Sequence, residues 1–296
     1  MHKVSNVSFH VHGRKEDTTI FLLSSLREIF KKNQIFYCTF DNFNRGEIKI
    51  LKHLRIHYFT LKDIGDYKEF SKFNKNFLRH NYSIYKSLIK SKKKFSVKLR
   101  SDVLINRNIY QDIQDCIESL SNYSISNERT LFKNNFLYKK IITHSYLPYY
   151  KHLYVADQIQ FSERKFLLKY YFFGCEESKI LKLEDLHALP NPLHSKNKIY
   201  LSNEQIQVLT FVKNIIKNKK LLTDILFDEQ FNKFFLNYFI ISRNFRGVNL
   251  PIRIDPRMNL KRLMFEIYKS QQGFLSKIFR FFFYIRYYFK KKETSK

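Results

Sequence analysis

Segments of strand length alternate with segments of helical spacing through the first hundred residues of the chain. Four apolar-rich segments predict β-strands: residues 4–11, 34–40, 54–59 and 95–99. Two others, residues 17–32 and 73–89, repeat apolar residues at helical spacing between those strands. This order predicts a βαββαβ unit, which is half of a doubly wound sheet with helices on both faces.

The rest of the chain predicts one further strand followed mainly by helices. Residues 153–161 indicate a strand region with Asp157 inside it, and residues 163–173 indicate a helix. Helical spacing continues over residues 204–216 and 221–239. We therefore expect an α/β fold with a mainly helical C-terminal appendage. Its predicted parts are a ligand-binding domain over 1–200, the appendage over 201–272 and a basic aromatic tail over 273–296.

The chain is strongly basic. Its 296 residues include 54 Lys and Arg against 26 Asp and Glu, a formal net charge of +28. Such a charge favours nucleic acid, an anionic membrane or a polyanionic substrate as partner. Lys, Asn, Ile, Phe and Tyr are abundant while Gly and Pro are scarce, which is typical of an AT-rich coding sequence. Much of the charge is therefore expected on solvated surface.

The cysteines and the amino terminus predict a cytoplasmic protein. Cys38, Cys116 and Cys175 are odd in number and far apart, without the spacing of a metal site or a disulfide framework. The first residues run directly into a predicted strand and lack the apolar stretch of a secretory signal. Residues 274–289 combine basic and aromatic side chains over a length too short to span a bilayer. They predict either an interfacial helix on anionic lipid or a partly buried terminal helix.

An acidic residue follows the strand predicted at residues 95–99, where an open α/β sheet binds its ligand. This residue is Asp102, and Lys98 and Arg100 lie just before it. A carboxylate with two nearby cations suits a phosphate ligand bridged by a divalent metal ion, Mg²⁺ or Mn²⁺. The alternative is that Lys98 and Arg100 are solvated strand residues and Asp102 begins a turn.

Two earlier positions can also be interpreted either as part of a ligand site or as ordinary turn residues. Gly13 and Arg14 follow the first strand, where backbone amides and a guanidinium can approach a nucleotide, although an ordinary turn explains the pair equally well. Asp41 ends the second strand, where it is expected to bind a ribose or base or else to initiate a turn. The histidines lack metal-ligand spacing, and no Ser/His/Asp or Cys/His arrangement is visible.

Several short motifs occur in a recognisable order along the chain. They are VSFHVHG at 7–13, LSSLREIF at 23–30, YCTFD at 37–41, VKLRSD at 97–102, VADQIQFS at 155–162 and LSNEQ at 201–205. In this order they resemble the WavE-type family of lipopolysaccharide-synthesis proteins, and the matches span about residues 4–245. The chain departs from the family at Arg14, where Pro is common, at Ser162, where Gly is common, and at His80, where Gln is expected.

The resemblance implies a glycosyltransferase with a GT-A-like, Rossmann-like mixed sheet and a nucleotide-sugar donor. The implied donor-binding residues are Gly13, Arg14, Arg27, Asp41, Arg79, Lys98 and Arg100. Asp102 is the implied ligand of Mg²⁺ or Mn²⁺. Asp157 is the first choice for the general base, and Glu204 is either the second choice or an ordinary helix N-terminal acid. The implied acceptor is a lipid-linked lipopolysaccharide, lipooligosaccharide or capsular glycan at the anionic inner face of the bacterial cytoplasmic membrane.

Two other classes of function compete with this one. The charge and the 31 Phe and 20 Tyr residues would also suit a basic nucleic-acid-binding protein without catalytic activity, although no known nucleic-acid motif occurs. A catalytically inactive scaffold on a membrane surface is the third hypothesis, supported by the basic aromatic tail. The aromatic residues fall mostly at core spacing, so nucleic acid is not the expected partner. The carboxylates of Asp41, Asp102 and Asp157 would be hard to explain in an inactive scaffold.

Overall fold

A mixed seven-stranded sheet organises the computed structural model of the chain. The structure describes residues 4–65, 67, 76–121, 140–143, 155–182, 194–195, 198–199, 202–215 and 240–249. The helix predicted over 221–239 and the tail predicted over 273–296 lie outside the described residues.

The described strands and helices follow one another in an α/β order. The strands are β1 (Val7–His12), β2 (Gln34–Thr39), β3 (His57–Thr60), β4 (Phe95–Arg100), β5 (Leu104–Ile105), β6 (Ile141–Thr143), β7 (Ile159–Glu163), β8 (His194–Ser195), β9 (Lys198–Ile199), β10 (Ile240–Ser242) and β11 (Val248–Asn249). The helices are α1 (Asp17–Ile29), α2 (Arg45–His53), α3 (Phe77–Lys90), α4 (Ile109–Ser121), α5 (Arg164–Phe172) and α6 (Asn203–Ile215). Two 3₁₀ helices, Val4–Asn6 and Glu177–Lys179, complete the set.

The strand order of the main sheet is β3-β2-β1-β4-β7-β6-β10. Neighbouring strands are parallel except around β7, which is antiparallel to both β4 and β6. The chain builds outwards from β1 to β3 and then crosses back to β4, so the direction of winding reverses between β1 and β4. This topology confirms the predicted doubly wound, mixed sheet of the GT-A-like, Rossmann-like kind.

Alternate residues of the central strands face two different layers of helices. Phe9 and Val11 of β1 enter the main apolar core, to which α1, α2 and α4 contribute. His10 of the same strand faces α3, where its ring lies 3.0 Å from the Ser87 hydroxyl. The sheet therefore has one apolar face and one face with buried polar side chains.

Two sequence predictions need correction in their boundaries. The third strand begins at His57 rather than at residue 54, because Arg55 follows α2 in a left-handed backbone conformation with φ of 52°. Asp157 precedes β7 by two residues instead of lying inside a strand.

The predicted appendage is also not independent of the sheet. β10 pairs with β6 in the main sheet, and β11 pairs with β5. Strand pairing therefore runs across the boundary predicted at residue 200.

Candidate functional site

A cavity of about 750 Å³ opens at the carboxyl edge of the sheet, next to the point where the winding reverses. This volume lies within the range of about 300–1,000 Å³ that is typical of small-molecule sites. The loops after β1, β2 and β4 line the cavity, together with the segment before β7 and the first turn of α6. Eight predicted site residues lie along its wall: Gly13, Arg14, Asp41, Arg79, Arg100, Asp102, Asp157 and Glu204.

The antiparallel direction of β7 brings Asp157 to this edge. Because β7 runs against β4, the start of β7 lies beside the end of β4. The Arg100 amide donates a hydrogen bond to the Gln158 carbonyl at 3.0 Å, which fixes this register. Asp157 therefore lies next to Arg100, although a long stretch of chain separates them.

The loops after β1 and β4 touch at Gly13. Gly13 has a φ of +131°, and a Cβ atom at this position would lie 2.4 Å from Ser101 Oγ. The Ser101 amide donates to the His12 carbonyl at 2.9 Å. Only glycine allows both this backbone conformation and this close approach. Gly13 thus holds the two strand ends together, with Arg14 next in the loop.

Four charged side chains alternate at the base of the cavity. Arg100 Nε donates to Asp102 Oδ1 at 2.9 Å and its Nη2 donates to Asp102 Oδ2, while its Nη1 donates to Asp157 Oδ1 at 3.2 Å. Lys98 Nζ lies 3.9 Å from Asp157 Oδ2, and the Lys98 side chain is 0% exposed. We refer to Asp102, Arg100, Asp157 and Lys98 as the charge chain.

Mutual attraction keeps the inner members of the charge chain ionised. Burial raises the pKa of Asp157, but the charges of Lys98 and Arg100 outweigh burial and hold this pKa well below its usual value. Burial lowers the pKa of Lys98 to about 8, and Asp157 opposes that shift. Burial also acts against the Arg100 cation, yet Asp157 and Asp102 raise its pKa overall. All three groups are therefore charged at neutral pH.

Two histidines that were not among the predicted site residues border the charge chain. The rings of His12 and His80 meet edge to face, with centroids 4.6 Å apart, and both line the cavity. Burial lowers the pKa of His80 to about 3 and holds that of His12 well below its usual value, and the charge of Lys98 adds to both effects. Both rings are therefore neutral at physiological pH. For His12, the alternation of polar residues along β1 was the available signal.

Arg79 and Asp41 line the cavity but also tie its rim together. The Arg79 guanidinium donates to both Asp63 carboxylate oxygens, at 2.7 and 2.8 Å, and to Asn76 Oδ1 at 2.9 Å. Asp41 Oδ2 accepts from the Lys15 amide at 2.7 Å, which joins the loop after β1 to the end of β2. Asp41 therefore fixes loop structure, as the turn alternative predicted, and it also lies in the cavity wall.

Arg27 does not reach the cavity, and this corrects the predicted nucleotide contact. Its guanidinium donates to the backbone carbonyls of Leu54 at 2.7 Å and Arg55 at 2.8 Å, and to carbonyls that follow α1. These bonds join the end of α1 to the connection between α2 and β3, at the opposite edge of the sheet. Arg27 therefore supports the fold.

Lys98 does not line the cavity either. It is buried beneath the cavity wall and contacts Asp157. The alternative interpretation of Lys98 as a solvated strand residue is also excluded.

The residues around Asp102 do not fit a divalent cation in the arrangement observed. Among the residues that the structure describes, no group of three His, Cys, Asp or Glu side chains could hold a metal ion. The Asp102 carboxylate accepts two hydrogen bonds from Arg100. A metal ion about 4 Å from that guanidinium would meet repulsion of about 4 kcal/mol per unit charge at an effective dielectric constant of 20.

The fold and the cavity together define a doubly wound α/β protein with a charged cavity at its carboxyl edge. No family model matches the chain, and no curated protein matches its sequence. The WavE-type resemblance therefore stays a prediction.

Several solved structures show weak similarity to the chain, including the following three. S. aureus TarS over residues 1–349 is 12% identical, with 92% of this chain and 68% of that chain covered, at a TM-score of 0.40. The inositol-1-phosphate CTP transferase of T. maritima is 11% identical, with 92% and 99% covered, at 0.39. A cytidylyltransferase of Leptospira borgpetersenii is 10% identical, with 90% and 97% covered, at 0.33. The fold class therefore rests on the strand order and not on these likenesses.

Proposed function

We propose that the chain is a glycosyltransferase that uses a nucleotide-sugar donor. The observation that carries this proposal is the position of the cavity. It lies at the carboxyl edge, where the winding reverses between β1 and β4, and doubly wound sheets bind nucleotides at that place. Arg14 and Arg100 line it, and their planar guanidinium groups match the geometry of phosphate oxygens.

In the proposed reaction, the oxygen of an acceptor hydroxyl forms a bond to the anomeric carbon of the donor sugar. The bond from that carbon to the diphosphate oxygen breaks, and the nucleoside diphosphate leaves with the bonding electrons. The hydroxyl proton passes to a carboxylate base. Arg14 and Arg100 offset the negative charge that develops on the diphosphate.

Glu204 is a better candidate for this base than Asp157, which reverses the order expected from the sequence. The Asp157 oxygens face Arg100 and Lys98, and the depressed pKa of Asp157 makes it a weak proton acceptor. Glu204 lines the same cavity from the first turn of α6. We therefore assign proton transfer to Glu204 and the positioning of Arg100 and Lys98 to Asp157.

For the acceptor, we propose a lipid-linked lipopolysaccharide, lipooligosaccharide or capsular glycan at an anionic membrane surface. Support comes from the end of the sheet opposite the cavity, which we call the amino edge. Exposed cations surround the strand ends there: Lys31, Lys32, Lys52, Arg55, Lys90, Lys92, Lys94 and Lys165. Ile89 is 46% exposed next to Lys90. Basic side chains around an apolar one suit the headgroup region of an anionic bilayer.

This orientation sets a length requirement on the acceptor. The six-residue strands β1 and β4 separate the two edges by about 20 Å at about 3.3 Å per residue. The reactive hydroxyl of a lipid-linked acceptor must therefore stand at least that far from the headgroups. Among the described residues, no helix combines the length and the apolar character needed to cross a bilayer.

The amino edge also favours a second candidate, a nucleic-acid-binding protein without catalytic activity. Clustered exposed cations bind a phosphodiester backbone as readily as they bind lipid phosphates. The cavity favours the first candidate instead, because it has the volume of a small-molecule site and places Arg14 and Arg100 in the same wall as the carboxylate of Glu204.

Calorimetric titration of the purified full chain with UDP- and GDP-sugars tests the proposal. We expect one nucleotide class to bind, and Glu204→Gln to keep that affinity while losing about 100-fold or more in turnover of an acceptor glycan. Glu163→Gln is the matched control, because Glu163 ends β7 at the amino edge. Tight, salt-sensitive RNA binding without nucleotide-sugar binding would replace the proposal by the second candidate.

A further inference from the structure

The charge chain places a guanidinium where the sequence predicted a metal ion. Arg100 binds Asp102 through two nitrogen atoms and Asp157 through a third. Lys98 lies behind Asp157 at 3.9 Å. Two cations thus balance two carboxylates within the charge chain, so Asp102 and Asp157 offer no uncompensated negative charge to a divalent cation.

Arg14 supplies a second guanidinium to the same cavity. It follows Gly13, whose close contact with Ser101 joins the loop after β1 to the loop after β4. Arg14 is exposed, and no hydrogen bond or ion pair joins its guanidinium to another residue in the described part of the chain. Its donors are therefore available to a ligand.

Arg100 also keeps donor capacity towards a ligand. A guanidinium has five N–H groups, and the three bonds to Asp102 and Asp157 use three of them. The carboxylates fix the plane of the guanidinium, so little side-chain freedom is lost when a ligand binds the remaining N–H groups.

We propose that Arg14 and Arg100 bind the diphosphate of the donor in place of a divalent cation, so that donor binding requires no metal. The inference rests on the proposed function and specifies how the same site neutralises its ligand. Arg14 supplies a positive charge that no carboxylate compensates, and both guanidinium groups donate hydrogen bonds in the fork geometry that phosphate oxygens accept. In this arrangement Asp102 is a positioning residue for Arg100.

Calorimetry of the full chain with UDP, GDP, CDP and inorganic pyrophosphate, in EDTA and in excess Mn²⁺, tests the inference. We expect binding in EDTA within about threefold of the affinity in Mn²⁺. Arg14→Ala should weaken binding about 10- to 100-fold in both conditions, as expected for the loss of hydrogen bonds to a charged group. The matched control is Arg107→Ala, because Arg107 is exposed and pairs with Glu28 outside the cavity.

Variants of the charge chain further distinguish diphosphate binding by guanidinium groups from diphosphate binding through a metal ion. Asp102→Asn keeps an acceptor for Arg100, so we expect it to bind the same nucleotide in EDTA with an affinity within about tenfold of the wild type. Nucleotide binding by Arg100→Ala is interpreted only if thermal unfolding shows that this variant folds. If it does not fold, Arg14→Ala alone tests the inference. Binding that requires Mn²⁺ and is lost in Asp102→Asn would overturn the inference alone. Binding of no probe in either condition would overturn both the inference and the proposed function.

Discussion

The two edges of the sheet have opposite chemistry although one basic chain forms both. The carboxyl edge gathers six carboxylates and three arginines around a cavity, and its buried charges are matched pairwise. At the amino edge, exposed lysines surround the strand ends, with Ile89 among them. The connections at that edge, residues 29–34, 51–57 and 88–95, contain no acidic residue.

This difference shows that the net charge of the chain is not a guide to its ligand site. A compositional excess of lysine raises the charge of every solvated surface, but it does not bring acidic residues from distant segments to one cavity. The carboxylates of the cavity therefore indicate a specific ligand site, whereas the amino edge indicates a surface for a less specific anionic partner.

The largest effect is expected from removing a buried carboxylate of the charge chain. Asp157→Ala should lower the free energy of unfolding by about 3–5 kcal/mol, because it leaves the Lys98 charge buried without a partner. Asp63→Ala is the matched control, since Asp63 also pairs with an arginine but lies exposed at the rim. Denaturant unfolding measures both variants. If both variants lose the same free energy of unfolding, the buried charge chain stabilises the fold no more than the exposed ion pair at the rim.

Neutralising the amino edge should weaken membrane binding without affecting the cavity. Lys31→Gln combined with Lys92→Gln removes two exposed cations, each worth about 1 kcal/mol near an anionic surface, or about 30-fold in total. Arg45→Gln combined with Lys62→Gln removes two exposed cations elsewhere. Sedimentation with phosphatidylserine vesicles compares the pairs. Similar losses in both would mean that overall charge, and not the amino edge, binds the lipid.

A methyl group at Gly13 should separate backbone strain from cavity geometry. Gly13→Ala and Gly65→Ala each force alanine into a positive-φ conformation, at φ of +131° and +83°, and each should cost about 1–3 kcal/mol in stability. Only the Gly13 variant also pushes against Ser101, whereas nothing lies within 4 Å of a Cβ at Gly65. We therefore expect nucleotide affinity, measured by calorimetry, to fall in Gly13→Ala alone. Equal affinity in the two variants would show that the contact between Gly13 and Ser101 does not shape the nucleotide site.

The smallest effect is expected in the acid dependence of stability. The pKa of Asp157 in the folded protein lies below its unfolded value of about 3.9, so its stabilisation is complete above that pH and is lost as pH falls towards the folded pKa. Lys98, Arg100 and His80 are the charged or titratable groups that face it. Asp157→Asn should flatten the decline of unfolding free energy below about pH 4. If the acid dependence of stability is unchanged in that variant, groups other than Asp157 cause the loss of stability at low pH.

Much of the fold could be predicted from the sequence because its signals are local. The alternation of strand and helical segments predicted β1, β2, β4, α1 and α3 to within a few residues, but it missed α2 between β2 and β3. The same pattern could not predict the antiparallel direction of β7, because strand direction depends on where the preceding chain crosses the sheet. The pattern also placed Asp157 inside a strand, whereas it precedes β7, and the antiparallel direction of β7 brings it to the cavity.

The amino-acid sequence specifies which chemical groups are present and where along the strands they occur. Their partners follow only from the three-dimensional fold: Arg100 bridges Asp102 and Asp157, Lys98 is buried behind Asp157, and Arg27 binds backbone carbonyls far from the cavity. Charge pairing and burial depend on distances in space. These distances are set by long-range strand pairing and not by spacing along the chain.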